Sequence, residues 1–321
     1  MKEVNLKKQA CLVSIIMPIH NNNNITVECL GSIERLNYPK DKIEVIISDG
    51  ATTDGTLGLV KIRLEKMRKE GFYRARLLEN EIDPGPVTCL NQCYQYVDKN
   101  SKYVLKLDND VTFASDSLIK SVSEMEGDRE IGVIGGKVFY HDKLDVPAIS
   151  HCACFYDLFR GRAKCYANNK STSCDYVSGC YFLIQKEVIN SYFLDEDFFV
   201  YYDDVDFCLR IKNRGYKIIY NPSVKIWHRG SVTTGGNRQS KFSIYYSARN
   251  RFLLEEKNAK LYHKLIFYPF YILNSAFRFL LQNVVSDKKT QGVKGTVPIR
   301  LKAIKDFLLR KWGKQELNER R

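Results

Sequence analysis

The stretch Val104-Leu105-Lys106-Leu107-Asp108-Asn109-Asp110-Val111 carries two carboxylates, two residues apart, at the point where an apolar run ends. Residues 103–107 read as a strand with apolar residues on both faces, as in buried parallel sheets. Alternation in an extended segment points Asp108 and Asp110 to the same side. At the carboxyl end of a parallel strand, that side is the crevice where open α/β sheets bind ligands. Hard oxygen donors of this kind suit magnesium or manganese, usually shared with substrate phosphates. Asp-X-Asp triplets also occur in ordinary turns, so a metal reading needs support from elsewhere in the chain.

Outward from this strand, short β-branched runs alternate with longer amphipathic stretches, the pattern of βαβ units around a mostly parallel sheet. Strands are expected over 11–17, 43–48, 74–78 and 103–107, with helices over about 25–36, 56–69 and 86–98. Beyond Asp108 the pattern becomes irregular, with shorter strands over 132–139 and 180–184 and an acidic stretch over 195–206. Residues 1–255 therefore read as one α/β domain, and 256–321 as a helical, aromatic and basic C-terminal region.

The chain has 321 residues and a formal net charge of +13. That charge alone would suit nucleic acid, an anionic membrane or phosphorylated substrates. Its distribution is more informative, because residues 287–321 hold eleven Lys/Arg against four Asp/Glu, a surplus of seven. Nucleic-acid binding is disfavoured, since outside the tail no basic patch is interleaved with aromatics. Residues 1–10 lack the long apolar core of a secretory signal. Ten cysteines, among them Cys11, Cys180 and Cys208 inside apolar runs, fit a reducing cytoplasm with free thiols and no disulfide framework. A zinc site from His151, Cys152, Cys154, Cys165 and Cys174 is disfavoured because paired Cys-X-X-Cys knuckles are absent.

A second acidic cluster lies in Tyr201-Tyr202-Asp203-Asp204-Val205-Asp206-Phe207-Cys208-Leu209-Arg210. Three carboxylates in four residues repel unless a cation, a helix N-terminus or a proton-transfer role compensates. In the structural alternative, Asp203 or Asp204 caps a helix and Asp206 pairs with Arg210 at i,i+4.

With these pieces the chain resembles family 2 glycosyltransferases, in particular the rhamnosyltransferase-like branch that builds bacterial surface polysaccharides. The resemblance runs from about Val13 to Leu254. Its ordered motifs are Val13-Ser14-Ile15-Ile16-Met17-Pro18-Ile19-His20-Asn21, Ser48-Asp49-Gly50-Ala51-Thr52-Thr53-Asp54-Gly55-Thr56, Leu107-Asp108-Asn109-Asp110, Gly179-Cys180, Asp195-Glu196-Asp197-Phe198-Phe199 and Asp203-Asp204-Val205-Asp206. Departures are Gly50-Ala51, Asp83-Pro84-Gly85 in place of Asn-Leu-Gly, Cys93 in place of Gly, and Asp203 where Glu usually precedes the base.

The resemblance implies a GT-A fold, with a Rossmann-like, mostly parallel sheet flanked by helices, that binds a nucleoside diphosphate sugar. It places Pro18, His20 and Asn21 near the nucleotide and Asp49 at the base. Asp108 and Asp110 hold ribose and a divalent metal, Mn or Mg. Asn91, Lys106, Asn109 and Gly179 fall at further nucleotide-sugar positions, and Asp204 matches the catalytic base. His228, in Ile226-Trp227-His228-Arg229-Gly230-Ser231, matches a histidine that completes the metal site; taken alone it reads as a buried structural histidine. Cationic help for the departing diphosphate would come from Arg229 or Arg249. The expected reaction is inverting transfer to a glycan or lipid-linked glycan in cell-surface polysaccharide (capsule or O-antigen) synthesis. A sugar-phosphate nucleotidylyltransferase is the rival, but 18–25 hold no Gly-rich basic phosphate loop. A non-catalytic sugar-nucleotide-binding membrane scaffold is the third reading.

The C-terminal region begins with Leu265-Ile266-Phe267-Tyr268-Pro269-Phe270-Tyr271-Ile272-Leu273, followed by Phe277, Phe279, Leu280 and Leu281. Pro269, Asn274, Ser275 and Arg278 interrupt it, so no clean membrane-spanning stretch results. Thr296-Val297-Pro298 reads as a helix start, after which Leu301, Ile304, Leu308 and Trp312 recur at helical spacing among Lys302, Lys305, Arg310 and Lys311. Such a helix points to peripheral attachment at an anionic membrane, here the inner face of the cell membrane. A helix packed on its own domain and a homo-oligomer contact are the alternatives.

Overall fold

The computed structural model describes residues 10–141, 149–189, 193–230, 240–284 and 297–317. Residues 1–9, Ser231, Thr296 and the side chains of Phe277, Phe279, Leu280 and Leu281 lie outside the described residues. The first half alternates strands and helices: β1 (Val13–Ile19), α1 (Asn23–Glu34), β2 (Ile43–Asp49), α2 (Thr56–Lys69), β3 (Arg74–Glu79), α3 (Pro86–Gln95) and β4 (Tyr103–Leu107). Pro86 opens α3 at its first turn, where the missing N–H costs nothing. β2 and β4 are buried along their whole length, as the continuous apolar runs require. β3, β2, β1 and β4 pair in parallel, so the carboxyl ends of β1, β2 and β4 open on one edge.

The second half is mixed. It contains β5 (Val111–Phe113), α4 (Ser117–Gly127), β6 (Ile131–Tyr140), β7 (Ile149–His151), β8 (Ala153–Asp157), β9 (Arg162–Tyr166), β10 (Thr172–Cys174), β11 (Tyr181–Gln185), α5 (Asp203–Asn213) and β12 (Lys217–His228). The sheet order is β10-β12-β6-β11-β4-β1-β2-β3, with β5 on β12 and β7 on β6. β11 runs antiparallel to both β4 and β6 and joins the two halves into one sheet. β8 and β9 form a separate antiparallel ribbon, which sets Cys154 directly opposite Cys165. The two form a disulfide, a correction to the expectation of free thiols throughout, because the cross-strand register brings them together. Cys180 and Cys208 are buried free thiols, and Cys152 and Cys174 are also free.

Three helices follow: α6 (Lys241–Asn258), α7 (Leu261–Val284) and α8 (Val297–Leu308). Along α8, Ala303 is buried against α6 and Asp306 accepts the Tyr245 hydroxyl at 2.7 Å. Of the expected stripe, Ile304 and Trp312 pack inward while Leu301 and Leu308 are exposed. α8 thus packs on its own domain. Among the described residues, no helix is long and apolar enough to cross a membrane.

Glu255 of α6 is fully buried, neither carboxylate oxygen has a hydrogen bond of good geometry among the described residues, and burial pushes its pKa up to about 8 against the lowering effect of the Tyr156 hydroxyl. A carboxyl whose folded pKa lies above its unfolded value near 4.5 favours the fold only while protonated. Stability is therefore expected to fall as pH rises between those two values and to level off above. Glu255→Gln removes this titration, and thermal melts across that window should show a flatter profile than wild type; parallel profiles would refute the assignment.

Candidate active site

The carboxyl ends of β1, β2 and β4 and the loops of the second half enclose a cleft of about 890 Å³. Pro18, His20, Lys106, Asp108, Asn109, Asp110, Gly179, Asp204 and His228 all line it. Two of these groups come together through strand pairing alone. β5 follows Asp110 directly and pairs antiparallel with β12, and the register His228↔Val111 brings the imidazole to the Asp110 carboxylate. His228 Nε2 lies 3.1 Å from Asp110 Oδ1. Burial works against the imidazolium, yet the carboxylates of Asp110 and Asp108 raise its pKa above the ordinary value.

One ligand atom from each of Asp108, Asp110 and His228 lies within 4.8 Å of the others, the only such group among the described residues. Asp110 Oδ1 is buried, with His228 Nε2 at 3.1 Å and no hydrogen bond of good geometry among the described residues. A buried carboxylate oxygen so placed is costly unless a cation compensates it, either the His228 imidazolium or a metal shared with Asp108. Two carboxylates and one imidazole fit a divalent metal.

Across the cleft, Asp204 stands in the first turn of α5, where the helix N-terminus favours a carboxylate. Its Oδ2 accepts the Gly179 N–H at 2.9 Å and its Oδ1 the Val205 N–H at 2.8 Å. The residue before α5 is Tyr202, so neither Asp203 nor Asp204 is the cap. Asp206 does pair with Arg210, at 2.7 Å. Gly179 separates the two acidic groups, and a Cβ there would come within 2.9 Å of the Asp204 Cβ and 3.0 Å of Lys106 Nζ. Lys106 Nζ reaches Gly179 O at 2.7 Å and Asp108 Oδ1 at 3.2 Å. Burial opposes the charge on Lys106, but Asp108, Asp203 and Asp204 hold its pKa above the usual lysine value. Burial pushes Asp203 up to about 7, with Asp204 and Asp108 adding to the effect and Lys106 opposing it.

On the β1–β2 side, His20 Nδ1 lies 2.6 Å from Gly50 O. The Asn21 side chain accepts the Thr53 N–H, and the buried Asp49 carboxylate accepts the Thr52 N–H. Both side chains thus brace the loop beyond β2, and neither is a cleft-lining residue. Asn109 lines the cleft, but its amide is engaged with Thr26 Oγ1 at 2.9 Å.

Three expected donor contacts stand elsewhere. Asn91 donates to Leu194 O and Glu196 Oε1, pinning α3 to the loop before α5. Arg229 pairs with Glu28 of α1. Arg249 is fully buried, and its guanidinium donates to the carbonyls of Asp197, Phe198 and Gly313. Its guanidinium thereby ties the C-terminal segment at Gly313 to the turn at Asp197 and Phe198.

The cleft also holds residues that the sequence reading did not single out as ligands. Phe199, Tyr201, Tyr202 and Phe242 form an aromatic wall next to Asp203 and Asp204. Phe199, Tyr201 and Tyr202 all have positive φ (62°, 64° and 69°), a conformation that non-glycine residues adopt only when the surroundings impose it. Lys314 enters from the C-terminal segment and binds Asp83 at 2.8 Å. The run of aromatics before Asp203 was a visible cue; nothing in the sequence marks Lys314.

The model of the family described as glycosyl transferase family 2 matches residues 14–193, more than half of the chain. Asp204 and His228 lie beyond the matched segment. The chain is 23% identical over 229 residues to the poly-beta-1,6-N-acetyl-D-glucosamine synthase of Staphylococcus aureus, covering 70% of this chain and 51% of that one. It spans from 19% to 51% of the lengths of three curated relatives it matches. Its fold is similar to that of the mannosyltransferase PcManGT from Pyrobaculum calidifontis in complex with GDP-Man and Mn2+ (TM-score 0.58, 18% identity, covering 94% of this chain and 88% of that one). It is likewise similar to S. aureus TarS 1-349 in complex with UDP-GlcNAc (TM-score 0.57, 18% identity, 92% and 80%). The mixed sheet with its helices is the GT-A architecture, and the chain belongs to glycosyl transferase family 2.

Proposed function

We propose that this protein transfers a sugar, with inversion, from a nucleoside diphosphate sugar to a hydroxyl of a glycan or lipid-linked glycan acceptor in cell-surface polysaccharide synthesis. The observation that carries the reading is the placement of Asp108, Asp110 and His228 in the same cleft as Asp204, with Lys106 and Gly179 between them. The solved relatives that hold UDP-GlcNAc, or GDP-Man with Mn2+, support a nucleotide-sugar donor and a divalent metal, Mn or Mg.

When bound, the metal supplies charge neutralisation at the departing diphosphate. Asp108, Asp110 and His228 would hold it, and Lys106 would add a fixed positive charge within the same cleft. The acceptor oxygen forms the new bond to the anomeric carbon as the bond to the diphosphate oxygen breaks, and the acceptor proton passes to Asp204. A base on the side opposite the leaving group gives inversion, whereas retention would require a nucleophilic carboxylate or another geometry. The aromatic wall of Phe199, Tyr201, Tyr202 and Phe242 beside Asp204 suits an acceptor presenting sugar rings. A lipid-linked acceptor would place the protein peripherally on the inner face of the cell membrane.

A panel of nucleoside diphosphate sugars, each with manganese, magnesium or chelator, tests the reading through release of nucleoside diphosphate. Metal-dependent release with one donor class is the expected result. Pyrophosphate release from a nucleoside triphosphate and a sugar phosphate would favour nucleotidylyltransfer, and binding without turnover would favour the scaffold. His228→Ala should weaken manganese binding in the presence of nucleoside diphosphate by about tenfold or more. Titration calorimetry showing unchanged affinity would remove His228 from the metal site.

A further inference from the structure

The outward face of α7 is apolar where a helix facing water carries polar side chains. Leu261, Tyr262, Leu265, Ile266, Ile272 and Leu273 are all more than half exposed, from 51% to 73%. They recur at helical spacing, and no charged residue interrupts their stripe. Phe267 and Tyr271, on the opposite face, pack on Phe252 of α6. The helix is therefore apolar on both sides, and only one side is covered among the described residues. From Leu261 to Leu273 the stripe runs roughly 18 Å. Monomeric proteins rarely leave a contiguous apolar strip of that extent to water.

The stripe is edged by the ribbon of β8 and β9. Phe159, at the ribbon's turn, lies against the rings of Tyr262 and His263, at 6.1 and 4.5 Å between centroids. The Arg162 guanidinium sits over the Phe270 ring at 5.3 Å. All of β9 is exposed, and it presents Arg162 and Lys164, neither in an ion pair among the described residues. Lys260 stands at the head of α7, and from there to residue 321 the sequence holds fourteen Lys/Arg against four Asp/Glu.

We propose that the α7 stripe and the β8–β9 ribbon dock the protein on the surface of an anionic lipid bilayer, with α7 lying in the interfacial plane. Apolar side chains enter the acyl boundary while flanking cations meet lipid headgroups, and neither contribution requires a helix that crosses the bilayer. A second copy of the chain fits less well. An isologous contact brings one patch against its own image, and the unpaired cations edging this stripe would then face each other. The proposal deepens the reading of a membrane-side acceptor, and it assigns the docking face to α7 and the ribbon.

Flotation of the full-length protein tests it, using vesicles of phosphatidylglycerol with phosphatidylethanolamine against phosphatidylcholine alone. Wild type is expected to float with the anionic vesicles and to be released by high salt. Leu265→Glu combined with Ile272→Glu should lower partition at least about tenfold. Ile62→Glu, at an exposed apolar position on α2, should float like wild type. No flotation of wild type, or equal flotation of the double variant, overturns the proposal. So does a wild-type dimer that the double variant dissolves while neither binds lipid. Metal-dependent nucleotide-sugar binding, measured without lipid, is expected to survive in the double variant, so failure of the docking face and failure of the transferase reading give different results.

Discussion

Asp204→Asn is expected to lower the rate of transfer by about three orders of magnitude while leaving donor and metal binding close to wild type. The amide keeps the size of the carboxylate, and its oxygen can still accept the Gly179 N–H now bound at 2.9 Å. What disappears is the capacity to take the acceptor proton, together with the acceptor for the Val205 N–H now bound at 2.8 Å. The loss should therefore fall on kcat, with the donor KM little changed. Thermal shift with nucleoside diphosphate and manganese, run alongside single-turnover kinetics, separates the two effects. Full activity in the variant would mean that another group removes the proton. Asp203 would be the first to examine, since it lines the same cleft and burial raises its pKa above the ordinary carboxylate range.

Asn250→Ala should have a comparably large effect by a different route. The two N–H hydrogens of the Asn250 amide are shared among the carbonyls of Phe198, Val200 and Tyr201, at 2.8, 2.7 and 3.0 Å, and its oxygen accepts the Arg249 Nε–H at 2.9 Å. These bonds hold the turn in which Phe199, Tyr201 and Tyr202 have left-handed backbone angles, immediately before Asp203 and Asp204. Each buried group left without a partner costs roughly 1–3 kcal/mol, so the truncation should destabilise the protein by about 3–5 kcal/mol. A loss of that size is a large fraction of a typical folding free energy. Asn250→Asp is a sharper probe, because it keeps the volume and the acceptor but turns an oxygen toward carbonyls. Urea denaturation gives the stability change, and a fall in kcat exceeding any rise in donor KM reports the misplaced turn. A variant within about 0.5 kcal/mol of wild type and fully active would show that the turn holds itself.

The α/β half was legible because each of its elements carries its own signal. Strands expected over 43–48, 74–78 and 103–107 agree with β2, β3 and β4 to within one residue, and the helix over 56–69 coincides with α2. Continuous apolar runs and 3.6-residue periodicity are local properties, written in neighbouring residues. β5, β7, β8, β9, β10 and β12 went unread. β5, β7 and β10 are three residues long and β9 is exposed throughout, so neither length nor apolar pattern marks those four, while Asn221-Pro222-Ser223 interrupts the apolar pattern of β12. Arg249 was misread for a related reason: an arginine beside tyrosines on a helix looks equally suited to phosphate or to solvent. Its burial depends on carbonyls more than fifty residues away in sequence.

For this protein the sequence by itself determined the parallel sheet, the carboxylates that end β4 and the acidic cluster that opens α5. Each follows from residue types at fixed local spacing. Only the tertiary structure decided that His228 meets Asp110, through the pairing of β12 with β5. The same holds for Gly179 and Lys106 standing between the two acidic groups, and for Arg249 and Asn250 bracing a turn rather than a diphosphate. Such contacts depend on the register and packing of segments far apart in the chain, and no local pattern encodes which distant partner a buried polar group will find.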